Sequence, residues 1–212
     1  MTKQNKIPNK SLTSGERQVH NDLSKVEKHH LWRYNETLKY ILPTDNVLDL
    51  GTGIGYGAHI IAKKAKQVLG IDDSQEAIDY ANKYWKLPNT EFKCMSAFDI
   101  IGTYDVIVAL EIIEHIKNEK RLFETIKNCT KDRLIFSVPH NSNPIEQYPW
   151  HWRHYSEKDI AHKLIMLGFK IERLDVITVR RGKDIFGVAK KEIKWAYKIK
   201  PKTNLYVPKK EI

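Results

Sequence analysis

Glu111, Glu114 and His115 sit together in the segment EIIEHI, residues 111–116. On a helical turn they fall at i, i+3 and i+4 and share one face. Two carboxylates and an imidazole so placed suit a hard or borderline divalent cation such as Mg²⁺ or Mn²⁺. Without a cation, His115 or His151 becomes a general base. A cation held this way needs a fourth ligand. Residues 140–156 are rich in donors, with His140, His151 and His154 interleaved with Tyr148, Trp150, Trp152 and Tyr155. Those rings read either as a packed lid or as a stacking surface for a ring, base or sugar.

A second constellation lies nearer the N-terminus, at Asp49-Leu50-Gly51-Thr52-Gly53-Ile54-Gly55-Tyr56-Gly57. Glycines there let the backbone approach a ligand, and a helix starting behind them offers unbonded N–H groups. Asp72, 21 residues beyond Gly51, is spaced to accept both hydroxyls of a ribose. The dinucleotide fingerprint G-x-G-x-x-G does not fit, because Tyr56 stands at the last glycine.

These residues need elements to hold them. Strand patterns cover residues 47–50, 67–71, 91–95, 104–110, 133–138, 169–179 and 184–189. Helical patterns cover 16–42, 55–66, 74–85, 118–129 and 156–167, with Ser74 and Ser156 as N-caps. Within 16–42 the helical spacing is carried by Leu23, Val26, His30, Tyr34 and Leu38. The alternation predicts an α/β fold of seven strands, mostly parallel, with helices on both faces. Ligands in such sheets bind beyond the carboxyl ends of the strands. The glycine loop, Asp72 and EIIEHI each follow a strand directly.

Length and composition agree with this plan. The 212 residues, 41% hydrophobic and 29% charged, suit one globular domain. Residues 1–15 read as a loose polar terminus, 16–191 as the domain with 16–42 a helical extension or lid, and 192–212 as a basic tail. No apolar run is long enough to span a membrane. The N-terminal residues lack the apolar core of a secretory signal. Cys94 and Cys129 form no CxxC pair, which argues against a disulfide framework or structural zinc and makes a reducing cytoplasm the simplest compartment. The net charge of +10 is spread along the chain, as on a solvated surface, with denser patches at residues 180–183 and in the tail.

The run D-L-G-T-G-I-G-Y-G, with its acid two residues before the first glycine, resembles the S-adenosylmethionine motif of the class I methyltransferases. The similarity extends over roughly residues 30–190, through Tyr104-Asp105-Val106-Ile107 and the helix end LIMLGF. It implies a Rossmann-like sheet and S-adenosyl-L-methionine as cofactor. Asp49, Gly51, Thr52, Gly53, Tyr56 and Leu110 would then surround its amino-acid end, and Asp72 its ribose. Ser96, Ala97 and Phe98 would meet the adenine. Ser96 replaces the family's usual aspartate, leaving recognition to the backbone of Ala97 and Phe98. His30-Leu31-Trp32-Arg33-Tyr34 is similar to an H-x-x-R-Y element that brings Arg33 to the cofactor carboxylate. Glu111, Glu114 and His115 match, without a gap, the E-x-x-E-H metal motif of ubiquinone-pathway O-methyltransferases and small-RNA 2′-O-methyltransferases. Those branches imply His151, with His154 the other candidate, as the later ligand, and a catalytic centre of Glu111, His115 and His151. The expected acceptor is a small-molecule or sugar hydroxyl. RNA is the first alternative, and a non-catalytic nucleoside-binding module the second.

Overall fold

The computed structural model describes residue 12 and residues 17–180 and 182–192. The expected loose terminus at 1–15, apart from Leu12, lies outside the described residues, as do Arg181 and nearly all of the basic tail. Seven strands form one sheet: β1 Asn46–Leu50, β2 Gln67–Asp72, β3 Thr90–Cys94, β4 Tyr104–Leu110, β5 Thr130–Pro139, β6 Phe169–Val179 and β7 Gly182–Lys191. Their spatial order is β3-β2-β1-β4-β5-β7-β6. Every pairing from β3 to β5 is parallel, and β7 runs antiparallel to both neighbours. The order reverses between β1 and β4, which opens a crevice at their carboxyl ends.

Among the described residues, five α-helices cover the sheet: α1 Lys28–Leu38, α2 Tyr56–Ala62, α3 Gln75–Tyr84, α4 Glu119–Cys129 and α5 Glu157–Met166. Tyr34, Ile61 and Ile78 of the first three pack with Val47, Val106 and Val108 on one face. Leu122, Ile126, Ile160 and Leu164 of the last two pack with Leu48, Ile107 and Phe136 on the other. The alternation of Val106 and Val108 against Ile107 and Ala109 is the period-2 rule of a strand covered on both sides. The caps are local: Ser74 accepts from the Ala77 N–H, and Ser156 forms a capping box with Asp159.

One element differs from expectation. The helical spacing over 16–42 becomes a 3₁₀ turn at Leu23–Lys25 followed by α1. Asp22 accepts from the Ser24 N–H, and Val26 and Glu27 are extended. An aspartate that bonds its own local backbone competes with helix, so apolar spacing alone did not carry the helix through. Among the described residues no helix is long and apolar enough to cross a membrane.

Candidate functional site

A cleft of about 1010 Å³ opens at the carboxyl ends of β1, β2 and β4. The glycine loop forms its floor. Gly51 has φ +75°, and a Cβ there would lie 2.6 Å from Ile112; only glycine lets this turn press against the segment after β4. Asp49 does not line the cleft, contrary to expectation. Its carboxylate is buried beneath the loop, where it accepts from the Thr52 hydroxyl at 2.6 Å. Burial pushes the Asp49 carboxyl up to about 7. Asp49 therefore shapes the loop from below.

Asp72 ends β2 and faces the cleft. It accepts from the Gly53 N–H on one oxygen, and from the Ser74 N–H and Arg17 on the other, each at 3.0 Å. Arg17 lines the cleft together with Gln18, and the Leu12 N–H donates to Glu76. Nothing in the sequence marked Arg17. In the adenine loop the Ser96 hydroxyl accepts from the Phe98 N–H at 3.2 Å. That removes one of the two backbone donors expected to meet the base. Thr52, Gly53, Tyr56, Ser96, Ala97, Phe98 and Leu110 all line the cleft.

Arg33 projects from α1 into the same wall and is 3% exposed. It is ion-paired with Asp184 of β7, and its Nη2 lies 3.5 Å from Glu111. Its Nε and Nη1 are buried without hydrogen-bond partners among the described residues. Asp184 was legible only as a lone charge opening an otherwise apolar strand.

EIIEHI does not form the expected helical turn. Glu111 has φ +53°, and only Ile113–His115 make a 3₁₀ turn. Glu111 is thereby turned toward Arg33, away from Glu114 and His115. The group that does converge is Glu114, His115 and His151, whose ligand atoms lie within 4.8 Å of one another. Glu114 is fully buried and His151 is 3% exposed. Of the four residues expected as ligands, Glu111 thus stands apart and three come together, because a left-handed residue breaks the i, i+3 relation.

Two loops are stitched together to make this group. The Trp152 N–H donates to the Glu114 carbonyl at 2.9 Å. Arg153 donates to the carbonyls of Ile116 and Lys117 at 2.6 and 2.8 Å. A histidine relay stands behind. The Asn143 carbonyl, which can only accept, lies 3.0 Å from His154 Nδ1, so that nitrogen carries the proton. His154 Nε2 then accepts from His151 Nδ1 at 2.8 Å. Neutral His151 is left with its lone pair on Nε2. His151 also stacks on Tyr148 at 4.9 Å and meets His115 edge-on at 4.7 Å. Tyr148, Trp150 and Trp152 line the cleft. Tyr155 instead sits in the core and donates to Glu119.

A buried carboxylate beside two imidazoles needs compensating positive charge, from a protonated imidazole or a cation. Two nitrogens and one carboxylate form a donor set that fits a borderline divalent ion such as Mn²⁺ better than Mg²⁺.

Comparisons with known proteins bear on the family and the fold. A family model described as a methyltransferase domain matches residues 24–173. A probable S-adenosylmethionine-dependent methyltransferase of Mycobacterium tuberculosis is 28% identical over 140 residues, covering 58% of this chain and 48% of that protein. This chain spans about half of that relative's length. A probable methyltransferase of the same kind from Mycolicibacterium smegmatis is 24% identical over 195 residues, covering 84% and 72%. The crystal structure of magnesium protoporphyrin IX methyltransferase from Synechocystis with bound S-adenosylhomocysteine superposes with a TM-score of 0.70 at 19% identity, over 84% of this chain and 90% of that one. The strand order, the glycine loop and the matched domain place this chain in the class I, Rossmann-like family of S-adenosylmethionine-dependent methyltransferases.

Proposed function

We propose that the protein methylates a hydroxyl of a small molecule or sugar, and that a divalent cation assists at Glu114, His115 and His151. The observation that carries this reading is the convergence of those three side chains within 4.8 Å. His115, one short turn beyond the glycine-loop contact Ile112, and His151 both line the cleft, which supports it further.

The cofactor supplies an already activated sulfonium methyl, so the chain has mainly to orient its reactants. Asp72 and the glycine loop hold the nucleoside end in this reading, and Arg33 receives the amino-acid carboxylate. Tyr148, Trp150 and Trp152 present flat faces to an acceptor ring. A cation at the triad would lower the pKa of the acceptor hydroxyl. Without the cation, His151 Nε2, its lone pair set by the relay, takes the hydroxyl proton instead.

The test is methyl transfer from labelled S-adenosylmethionine to catechols, sugars and short RNA, with EDTA and added Mn²⁺ or Mg²⁺. Transfer to a catechol or sugar that EDTA abolishes and Mn²⁺ restores is expected. Transfer to an amine, or transfer indifferent to EDTA, would overturn the metal-assisted hydroxyl reading. Salt-sensitive methylation of RNA would replace the small acceptor with a nucleic acid.

A further inference from the structure

We infer that Glu111 recognises the α-ammonium of the cofactor and is not a metal ligand; this deepens the cofactor reading above and rests on it. Glu111 sits between Leu110, the last residue of β4, and Ile112, which packs on Gly51. Its N–H donates to the Ser137 carbonyl at 3.1 Å, which anchors the residue to β5. Its left-handed backbone is unusual for a residue with a β-carbon, and such conformations collect at functional sites. The conformation separates Glu111 from the Glu114 group and turns it onto Arg33.

The bonding left unfilled there is specific. Glu111 Oε2 faces Arg33 Nη2, while Oε1 is buried with no hydrogen-bond partner among the described residues. Arg33 Nε and Nη1 are buried and unpartnered in the same way. Unfilled buried acceptors and donors are costly, so a ligand that fills them binds well. A simple carboxylate would satisfy Arg33 and be repelled by Glu111. A simple amine would do the reverse. An amino-acid zwitterion satisfies both at once. The formal charges agree: one cation, Arg33, lies between two anions, Asp184 and Glu111. The wall thus offers both a cation and a carboxylate side by side, which complements a zwitterion.

Calorimetric titration of the full chain tests this. The ligands are S-adenosylhomocysteine and its deamino analogue, which keeps the carboxylate and lacks the ammonium. Wild-type protein should bind S-adenosylhomocysteine about 10- to 100-fold more tightly than the analogue, the size of one charge-assisted hydrogen bond. Glu111→Gln should remove most of that preference by weakening S-adenosylhomocysteine alone. Mn²⁺ binding should survive Glu111→Gln and be lost in Glu114→Gln. Equal wild-type affinity for the two ligands would overturn the assignment without any variant. Loss of Mn²⁺ in Glu111→Gln would return the residue to the metal. Wild-type protein that bound neither ligand would remove the cofactor reading itself, an outcome distinct from equal binding.

Discussion

Asp49 shows how one residue can tie the site to the solvent. Its folded pKa, about 7, is raised by burial above the ordinary carboxyl value of 3.8. The folded chain therefore holds a proton that the unfolded chain has released between those values. The stability from this group is fully present below pH 3.8 and is lost as pH rises through about 7. Asp49→Asn should gain stability relative to wild type across that window, by about 4 kcal/mol at most. Melting curves of both proteins at pH 4.5 and 7.5 measure the difference, and parallel curves would refute it. His154 acts at the same scale without touching the cleft. It sets the tautomer of His151 through a 2.8 Å bond. His154→Ala should weaken Mn²⁺ binding about 10- to 100-fold, as loss of an outer-shell partner does. The circular dichroism spectrum should be unchanged.

Elements bring these residues within reach of each other. α1 carries Arg33 to the cleft only because it packs closely on α2. The Tyr34 ring occupies the space beside Gly57, where a Cβ would lie 2.0 Å from it. Gly57→Ala should push α1 outward, cost about 1–3 kcal/mol as overpacking does, and weaken S-adenosylhomocysteine binding together with stability. Unchanged affinity in a destabilised Gly57→Ala protein would separate α1 from the site. The segment before α1 acts in the opposite sense. A carboxylate offers about four acceptor sites, and Arg17, Ser74 and Gly53 donate to Asp72. In the proposed cofactor pose two ribose hydroxyls would need more than the remainder, so Arg17 would compete with the nucleoside. Arg17→Met should tighten S-adenosylhomocysteine binding by up to about fivefold, the range of a partly exposed ion pair. Weaker binding in that variant would instead make Arg17 part of the bound site.

On the scale of the whole molecule, the cleft lies where the two halves of the sheet diverge, with the glycine loop from one half and the β4 and β5 loops from the other. A ligand there binds only the folded arrangement. S-adenosylhomocysteine at 100 times its Kd should stabilise the fold by about 2.7 kcal/mol. For a chain of this size that corresponds to a rise of about 5–10 °C in Tm. A thermal scan with and without the ligand checks it, and an unmoved Tm would oppose binding at this cleft.

Local patterns in the sequence determined the elements, the order of glycine loop and Asp72, and the address of EIIEHI. The caps at Ser74 and Ser156 and the apolar run of β4 depend on neighbours a few residues away, so they are legible in one dimension. The ligand set was not. Glu111 and Glu114 are three apart in sequence, yet a single left-handed residue sends one to Arg33 and the other to His151. His151 lies 36 residues beyond His115, and Arg153 with Trp152 closes that distance by bonding to backbone carbonyls. Arg17 on Asp72 and Asp184 on Arg33 are pairs 55 and 151 residues apart. Contacts across such separations follow from how the sheet orders its strands and how the loops then meet, so only the tertiary structure decided them.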